Sequence, residues 1–67
     1  MIYDAIKQIA IKKGISIRSI ERNLHFANGT INKWNNHSPK VSQVNEVADL
    51  LEVSSEYIIN KSREGEK

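Results

Sequence analysis

The apolar residues of this 67-residue sequence recur three and four positions apart, in short stretches separated by polar residues. The first stretch has this spacing at Ile2, Ala5, Ile6, Ile9 and Ala10. Residues spaced in this way fall on one face of an α-helix, whereas a half-buried strand alternates apolar and polar residues. No stretch of the sequence shows that alternation. The pattern therefore predicts a compact all-α chain in which each helix buries one apolar stripe.

Capping signals predict where the first two helices begin and end. The first helix is expected over about residues 2–13, and Gly14 can take the left-handed conformation that closes it. Ser16 has apolar neighbours at the spacing of a hydrophobic staple. It is therefore expected to cap a second, short helix that ends near Leu24.

Three more helices are expected in the rest of the chain, which gives five in total. A tight connection at residues 25–27 leads to a third helix over about residues 28–36, followed by a polar loop that contains Pro39. Ser42 is expected to cap the fourth helix, and Ser54 is expected to begin a short fifth helix.

Length and composition limit the chain to one small domain. A chain this short buries only about 60% of its unfolded surface, so the domain predicted at residues 1–60 has a small core. Residues 61–67 are expected to form a charged tail or the beginning of a linker to a further C-terminal domain. The sequence has no Cys, no apolar run of membrane-spanning length and no signal-peptide features at its start. We therefore expect a cytoplasmic protein without disulfides or membrane association.

The charge is distributed unevenly along the chain. Residues 7–40 carry seven Lys or Arg side chains and one acid, a net charge of +6, whereas residues 41–67 carry a net charge of −3. A basic half joined to an acidic half indicates one face directed at a polyanion. Solvated helix faces would give the same composition, so charge alone leaves both interpretations open.

A series of landmarks extends over about residues 2–60. It lies in GISIRSIERNLHFANGTINKW, in a Pro-containing loop and in KVSQVNEVADLLEVSSEYII. In order, the landmarks are Ser16, Ile20, Leu24, Ile31, Trp34, Pro39, Val47, Ala48, Leu51, Val53 and Ser54. Taken together and in register, they resemble the lambda-repressor-like (XRE, Cro/phage repressor) helix-turn-helix family.

The resemblance implies a compact five-helix lambda-repressor-like domain whose helices 2 and 3 form the helix-turn-helix. It also implies a sequence-specific DNA-binding transcriptional regulator of the phage or mobile-element repressor type. Helix 3 would read the major groove of a double-stranded operator, helix 2 would lie across the phosphate backbone, and two copies would bind as a homodimer.

Three residues depart from the family pattern. Glu21 stands where the family usually has a small residue, so its side chain is expected to bend outward, toward Arg18 or Lys33. His25 occupies the turn position at which the family often has Gly, because the backbone there is left-handed. His can adopt the left-handed conformation at a modest cost in energy. Ile17 stands where many members have a polar phosphate contact, so the contact is expected from its backbone N–H.

The predicted third helix supplies the candidate base contacts. With Ile31 and Trp34 turned inward, the helical period places polar residues on the opposite arc. Asn matches the edge of adenine, Lys can donate to guanine, the Thr methyl can touch thymine, and Gly lets the backbone approach closely. The candidate base-contacting residues are Asn28, Gly29, Thr30, Asn32 and Lys33.

Candidate phosphate contacts flank this arc in the sequence. Such contacts fix the position of a protein on DNA without specifying the base sequence. The candidates are Ser16, Ile17, Arg18, Asn36, Ser38 and Lys40, with Arg22 as either a contact or a solubility charge.

Some of these polar and aromatic residues have structural interpretations. Asn35, and partly Asn28, suit caps and turns, and the helical spacing of Trp34 favours the core over a base-stacking role. His25 and His37 lack converging ligands, so no metal site is expected. No strained nucleophile turn or Gly-rich phosphate loop indicates an enzyme, and no cofactor is implied.

The alternative function is a protein-interaction module, such as an antitoxin or a regulator subunit, with only secondary DNA binding. Tyr57 and the pair Ile58 and Ile59 would supply its interface, or that of a repressor dimer. One Ile of the pair is expected in the core, and the sequence does not decide which.

Overall fold

The computed structural model describes residues 2–64 and contains four α-helices and one short 3₁₀ helix. The elements are α1 (Ile2–Lys13), α2 (Ile17–Asn23), the 3₁₀ helix (Asn32–Asn35), α3 (Val41–Leu51) and α4 (Ser55–Glu64). No strand occurs in residues 2–64. The predicted all-α class is confirmed, and the prediction of five α-helices is wrong.

The missing α-helix is the third one, predicted over residues 28–36. Residues 28–31 form turns, and only Asn32–Asn35 form a helix, of the 3₁₀ type. Gly29 has a φ of +90°, far from the value near −63° that an α-helix requires. A regular α-helix therefore cannot continue through the Gly29 backbone. The Gly29 carbonyl still accepts a hydrogen bond from the Lys33 N–H at 3.2 Å, and the chain beyond it takes 3₁₀ geometry.

One hydrophobic core joins all five elements. It consists of Ile6, Ile9, Ala10, Ile20, Ile31, Trp34, Val47, Ala48, Leu51 and Ile58. α1 packs against α4, against the 3₁₀ helix and against α3, so three of the other four elements meet it directly. Ile58 is fully buried while Ile59 is 38% exposed, which identifies Ile58 as the core member of that pair.

Two of the predicted helix caps are confirmed. The Ser16 hydroxyl accepts a hydrogen bond from the backbone N–H of Ser19, at 3.0 Å, at the start of α2. The Ser54 hydroxyl accepts one from the backbone N–H of Tyr57, also at 3.0 Å, at the start of α4. Each hydroxyl satisfies an N–H that has no partner within its own helix.

The predicted Ser42 cap is wrong, because α3 begins at Val41. The side chain of Gln43 accepts a hydrogen bond from the backbone N–H of Lys40, at 3.1 Å, and so fixes the boundary ahead of Ser42. α3 is joined to α4 by a hydrogen bond from the Ser55 hydroxyl to the Asn45 side-chain oxygen.

α4 is longer than the sequence indicated. It continues to Glu64, past the boundary expected at residue 60, and the Ser62 hydroxyl donates to the Ile59 carbonyl at 2.6 Å. The rest of the predicted tail, residues 65–67, lies outside the described residues. No helix within residues 2–64 has the length and apolar character needed to cross a membrane.

Three helices end in the same kind of turn, with a left-handed residue close after the helix. These residues are Gly14 (φ +72°), His25 (φ +62°) and Glu52 (φ +60°). In each turn the next residue donates its N–H back to the last helical turn: Ile15 to Ala10, Phe26 to Glu21 and Val53 to Ala48. This is the Schellman arrangement, in which an apolar residue after the turn packs against the helix end. Ile15, Phe26 and Val53 pack against the core accordingly.

Glycine at the two non-glycine turn positions should stabilise the protein. The left-handed conformation of His25 and Glu52 costs energy that glycine avoids, which outweighs the greater backbone entropy of glycine in the unfolded chain. We expect His25→Gly and Glu52→Gly each to raise the free energy of unfolding by about 0.5 to 1 kcal/mol. The control is Lys7→Gly, at an exposed position inside α1, which should lower it by about 1 kcal/mol. Urea denaturation measures all three, and a loss of stability in both turn variants would contradict this expectation.

Candidate nucleic-acid interface

The 28–36 segment is fixed to the core by two side chains. Ile31 is fully buried, and Trp34 is 5% exposed. The ring of Phe26 meets that of Trp34 edge to face, with 6.2 Å between centroids and 69° between the ring planes. Asn32, Lys33 and Asn36 are exposed. The segment therefore turns its apolar side chains inward and leaves polar side chains in solvent, although its backbone is not α-helical.

Glu21 lies beneath this segment, and the prediction that it bends outward is wrong. The residue is only 4% exposed. One carboxylate oxygen accepts a hydrogen bond from the backbone N–H of Gly29 at 3.3 Å, and the other accepts one from Ile31 at 3.0 Å. These amides need a partner for two reasons. The positive φ of Gly29 prevents a regular helix in which earlier carbonyls would accept them, and Ala27, just ahead of the segment, has no side-chain oxygen that could act as a cap. The carboxylate turns inward to satisfy them.

The pattern of α2 contains a signal for this orientation. Ile17, Ile20, Glu21 and Leu24 follow the i, i+3, i+4, i+7 spacing of an inward-facing stripe. Glu21 thus occupies a stripe position that an apolar residue would normally fill. A charged residue in such a position predicts a buried partner, and here the partner is the backbone of the next segment.

The five candidate base contacts differ in how freely they can reach a ligand. Asn28, Asn32 and Lys33 are exposed. Thr30 is half-buried, and its hydroxyl donates to the Ala27 carbonyl at 2.7 Å, which leaves its methyl group as the available part. Gly29 is half-buried, and a Cβ built there would meet no atom within 4 Å. Its positive φ, rather than crowding, is what requires glycine at this position.

The candidate phosphate contacts differ in which of their atoms remain free to bind a phosphate. Ser16 is exposed, but its hydroxyl is used in capping α2, and the half-buried side chain of Ile17 packs on the core. For both residues the backbone N–H at the start of α2 is what remains for a phosphate. The other candidates, Arg18, Asn36, Ser38 and Lys40, are exposed.

The structure brings three of the polar candidates together on one side of the segment. Arg18, Arg22 and Asn28 line a recess of about 60 Å³ that also contains Glu21 and Phe26. Asn36 and Ser38 lie instead along a groove of about 420 Å³ bordered by Trp34 and α4. The exposed arc of the segment thus has guanidinium groups on one flank and an amide and a hydroxyl on the other.

This groove was not predictable from the sequence, because its walls come from distant parts of the chain. It is lined mainly by apolar and uncharged polar residues, including Ile2, Pro39, Val41, Val44 and Ile59. No Lys, Arg, Asp or Glu is among its lining residues in the described part of the chain. The one signal in the sequence is Val41, an apolar residue that lies between the Pro-containing loop and the expected Ser42 cap, since the choice between Ile58 and Ile59 for the core was open.

Removing the Ile31 anchor should destabilise the protein far more than removing the polar side chain beside it. Ile31→Ala leaves a cavity in a packed core and is expected to lower the free energy of unfolding by about 2 to 5 kcal/mol. Asn32→Ala, at an exposed position, should change it by no more than about 0.5 kcal/mol. The comparison is made by urea denaturation. Equal effects of the two substitutions would show that Ile31 does not anchor the segment.

The candidate interface therefore consists of the exposed side of the 28–36 segment, its flanking residues and the two arginines on α2. A buried carboxylate and two core side chains determine its geometry. Comparison of the chain with protein-family models, with curated proteins and with solved structures gives no match in any of the three.

Proposed function

We propose that this chain is a sequence-specific DNA-binding transcriptional regulator of the repressor type. In the proposed complex, the 28–36 segment enters the major groove and α2 lies across the phosphate backbone, as the two parts of a helix-turn-helix. The observation that carries this proposal is the two-sided 28–36 segment. Ile31 and Trp34 fix it in the core, while Asn32, Lys33 and Asn36 are exposed.

The exposed side chains suit the chemistry of base edges. An Asn amide can donate to and accept from the N7 and N6 positions of adenine, and a Lys ammonium can donate to O6 and N7 of guanine. Asn28, Asn32 and Lys33 provide these groups on one short segment. Arg18 and Arg22 line the same recess as Asn28. In the proposed complex they would meet the phosphates that border the major groove.

The irregular backbone of the segment is compatible with this proposal. Base contact requires that a few polar side chains project together from an element narrow enough for the major groove of DNA. Elements other than α-helices also enter the major groove. The 3₁₀ helix Asn32–Asn35 is a narrow element of this kind. The departure from α geometry changes which bases the side chains reach and leaves their exposure intact.

The size of the molecule is compatible with binding as a homodimer. Its principal extents are 33, 23 and 19 Å. Half-sites one helical turn apart are separated by about 34 Å, so two copies fit side by side on one face of a duplex. One copy makes few phosphate contacts and should bind weakly, whereas two copies combine the contacts of two half-sites.

Selection of binding sites from a randomised duplex library tests the proposal directly. We expect an enriched sequence made of two related half-sites, with centres about 10 base pairs apart or a multiple of that spacing. Recovery of a random pool after repeated selection would reject the function.

A second candidate function, a protein-interaction module, is favoured by the apolar residues exposed on α4. Tyr57 is 47% exposed and Ile59 is 38% exposed, and Ile59 borders the groove, in which no Lys, Arg, Asp or Glu is found among the described lining residues. A DNA titration at two salt concentrations separates the two candidates. Weak binding that salt abolishes and that shows no sequence preference would favour the interaction module.

Asn32→Ala should weaken binding to the selected site by about 1 to 3 kcal/mol and relax the base preference at one position. The amide is exposed, so the substitution is expected to leave the fold intact. The matched control is Asn60→Ala, which removes an exposed amide from α4 and should leave binding unchanged. Equal losses on the selected site and on random DNA would contradict a base contact by Asn32.

Arg18→Ala should weaken binding to all sequences, because a phosphate contact is independent of the bases. The slope of log affinity against log salt concentration should become shallower by about 0.9 for each phosphate that the protein no longer neutralises. Arg63→Ala, which removes an exposed arginine from α4, is the matched control and should leave the slope as it is. A slope that stays the same in Arg18→Ala would show that Arg18 does not contact a phosphate.

A further inference from the structure

We propose that Glu21 is a positioning residue that fixes the base-reading geometry of the 28–36 segment before DNA binds. This inference rests on the proposed function and deepens it, because it assigns sequence discrimination to a side chain that touches no base. Glu21 belongs to α2, and it holds the next segment through the amides of Gly29 and Ile31.

The two hydrogen bonds of Glu21 link separate elements of the fold. Their donors lie eight and ten residues after Glu21 in the sequence. The Ser16 and Ser54 caps, in contrast, each accept an N–H only three residues away. A local cap starts a helix, whereas the Glu21 carboxylate sets the position of one element relative to another.

The position of the candidate base contacts depends on the two amides that Glu21 binds. Gly29 and Ile31 alternate along the chain with Asn28, Thr30 and Asn32. If the amides of Gly29 and Ile31 are fixed, the backbone that carries the three candidates is fixed as well. Small displacements of a binding group reduce its contribution, so residues that preorganise such groups govern specificity.

Burial of the Glu21 carboxylate is costly unless both of its oxygens are used. The residue is 4% exposed, and each oxygen accepts one backbone N–H. Removing one acceptor leaves a donor without a partner in a place that water reaches poorly. The arrangement therefore favours a side chain with two acceptor oxygens at this depth.

Glu21 also affects which groups are free to bind phosphate. Because it already occupies the amides of Gly29 and Ile31, the backbone at this end of the segment offers fewer donors to DNA. Sequence-independent contacts are then left to other groups, such as Arg18 and Arg22. Glutamine at position 21 keeps one acceptor oxygen for these amides and leaves Arg18 and Arg22 in place. Glu21→Gln should therefore reduce discrimination between sequences without changing the number of phosphate contacts.

The test compares Glu21→Gln with Glu46→Gln. Glutamine has nearly the same shape as glutamate, but it replaces one acceptor oxygen with an NH₂ group that faces an amide donor. Glu46 is exposed on α3, so Glu46→Gln makes the same change in net charge away from the segment. It controls for the general gain in DNA affinity that follows from removing a negative charge.

The first readout is amide hydrogen exchange in the free proteins. In Glu21→Gln, whichever amide of Gly29 and Ile31 faces the new NH₂ group should lose about tenfold more protection than the core amide of Val47, as expected when a hydrogen bond to a charged acceptor is removed. In Glu46→Gln, the exchange protection of the three amides should change by the same factor. Equal losses at the segment and the core in Glu21→Gln would show only global destabilisation and would overturn the inference.

The second readout is the ratio of affinities for the selected duplex and a random duplex, measured with its salt dependence. In Glu21→Gln this ratio should fall about tenfold while the salt slope stays at the wild-type value. If the wild type prefers the selected duplex and the ratio is unchanged in Glu21→Gln, the positioning role of Glu21 is rejected and the proposed function is not. A wild-type protein without preference would reject the proposed function, and the positioning role with it.

Discussion

The buried carboxylate of Glu21 is the interaction on which the arrangement of the 28–36 segment depends. The positive φ of Gly29 prevents a regular α-helix, and the carboxylate accepts hydrogen bonds from the amides of Gly29 and Ile31. Ile31 and Trp34 then fix the same segment in the core. A chain of 67 residues has few core side chains to spare, so a single polar interaction of this kind has a large effect on its structure.

Much of the fold could be predicted from local sequence signals. The spacing of apolar residues predicted α1, and Gly14 marked its end. Ser16 and Ser54 predicted the starts of two further helices, since a hydroxyl next to an apolar stripe satisfies a free N–H. These signals depend on residues within four positions of each other, so no knowledge of tertiary packing is needed to interpret them. The inward orientation of Trp34 was predictable from the same spacing.

The rest could not be predicted because it depends on contacts that residue type and spacing do not specify. The turns at residues 28–31, ahead of the 3₁₀ helix Asn32–Asn35, involve a positive φ at Gly29 together with an acceptor on α2. Glu52 takes a left-handed conformation although nothing in its residue type favours it. The hydrogen bond from the Lys40 backbone N–H to the Gln43 side chain places the start of α3 at Val41, ahead of the start expected from a Ser42 cap. At the start of α3, a neighbouring group thus outweighs the capping preference of Ser42.

The proposed function depends on the 28–36 segment presenting its exposed side chains to DNA. Chemical-shift mapping of the isotope-labelled protein with a selected duplex tests this most directly. We expect the largest shifts at Arg18 and at the exposed residues of the 28–36 segment, with little effect on α4. Shifts concentrated at Tyr57 and Ile59, with the 28–36 segment unchanged, would contradict the proposed mode of binding.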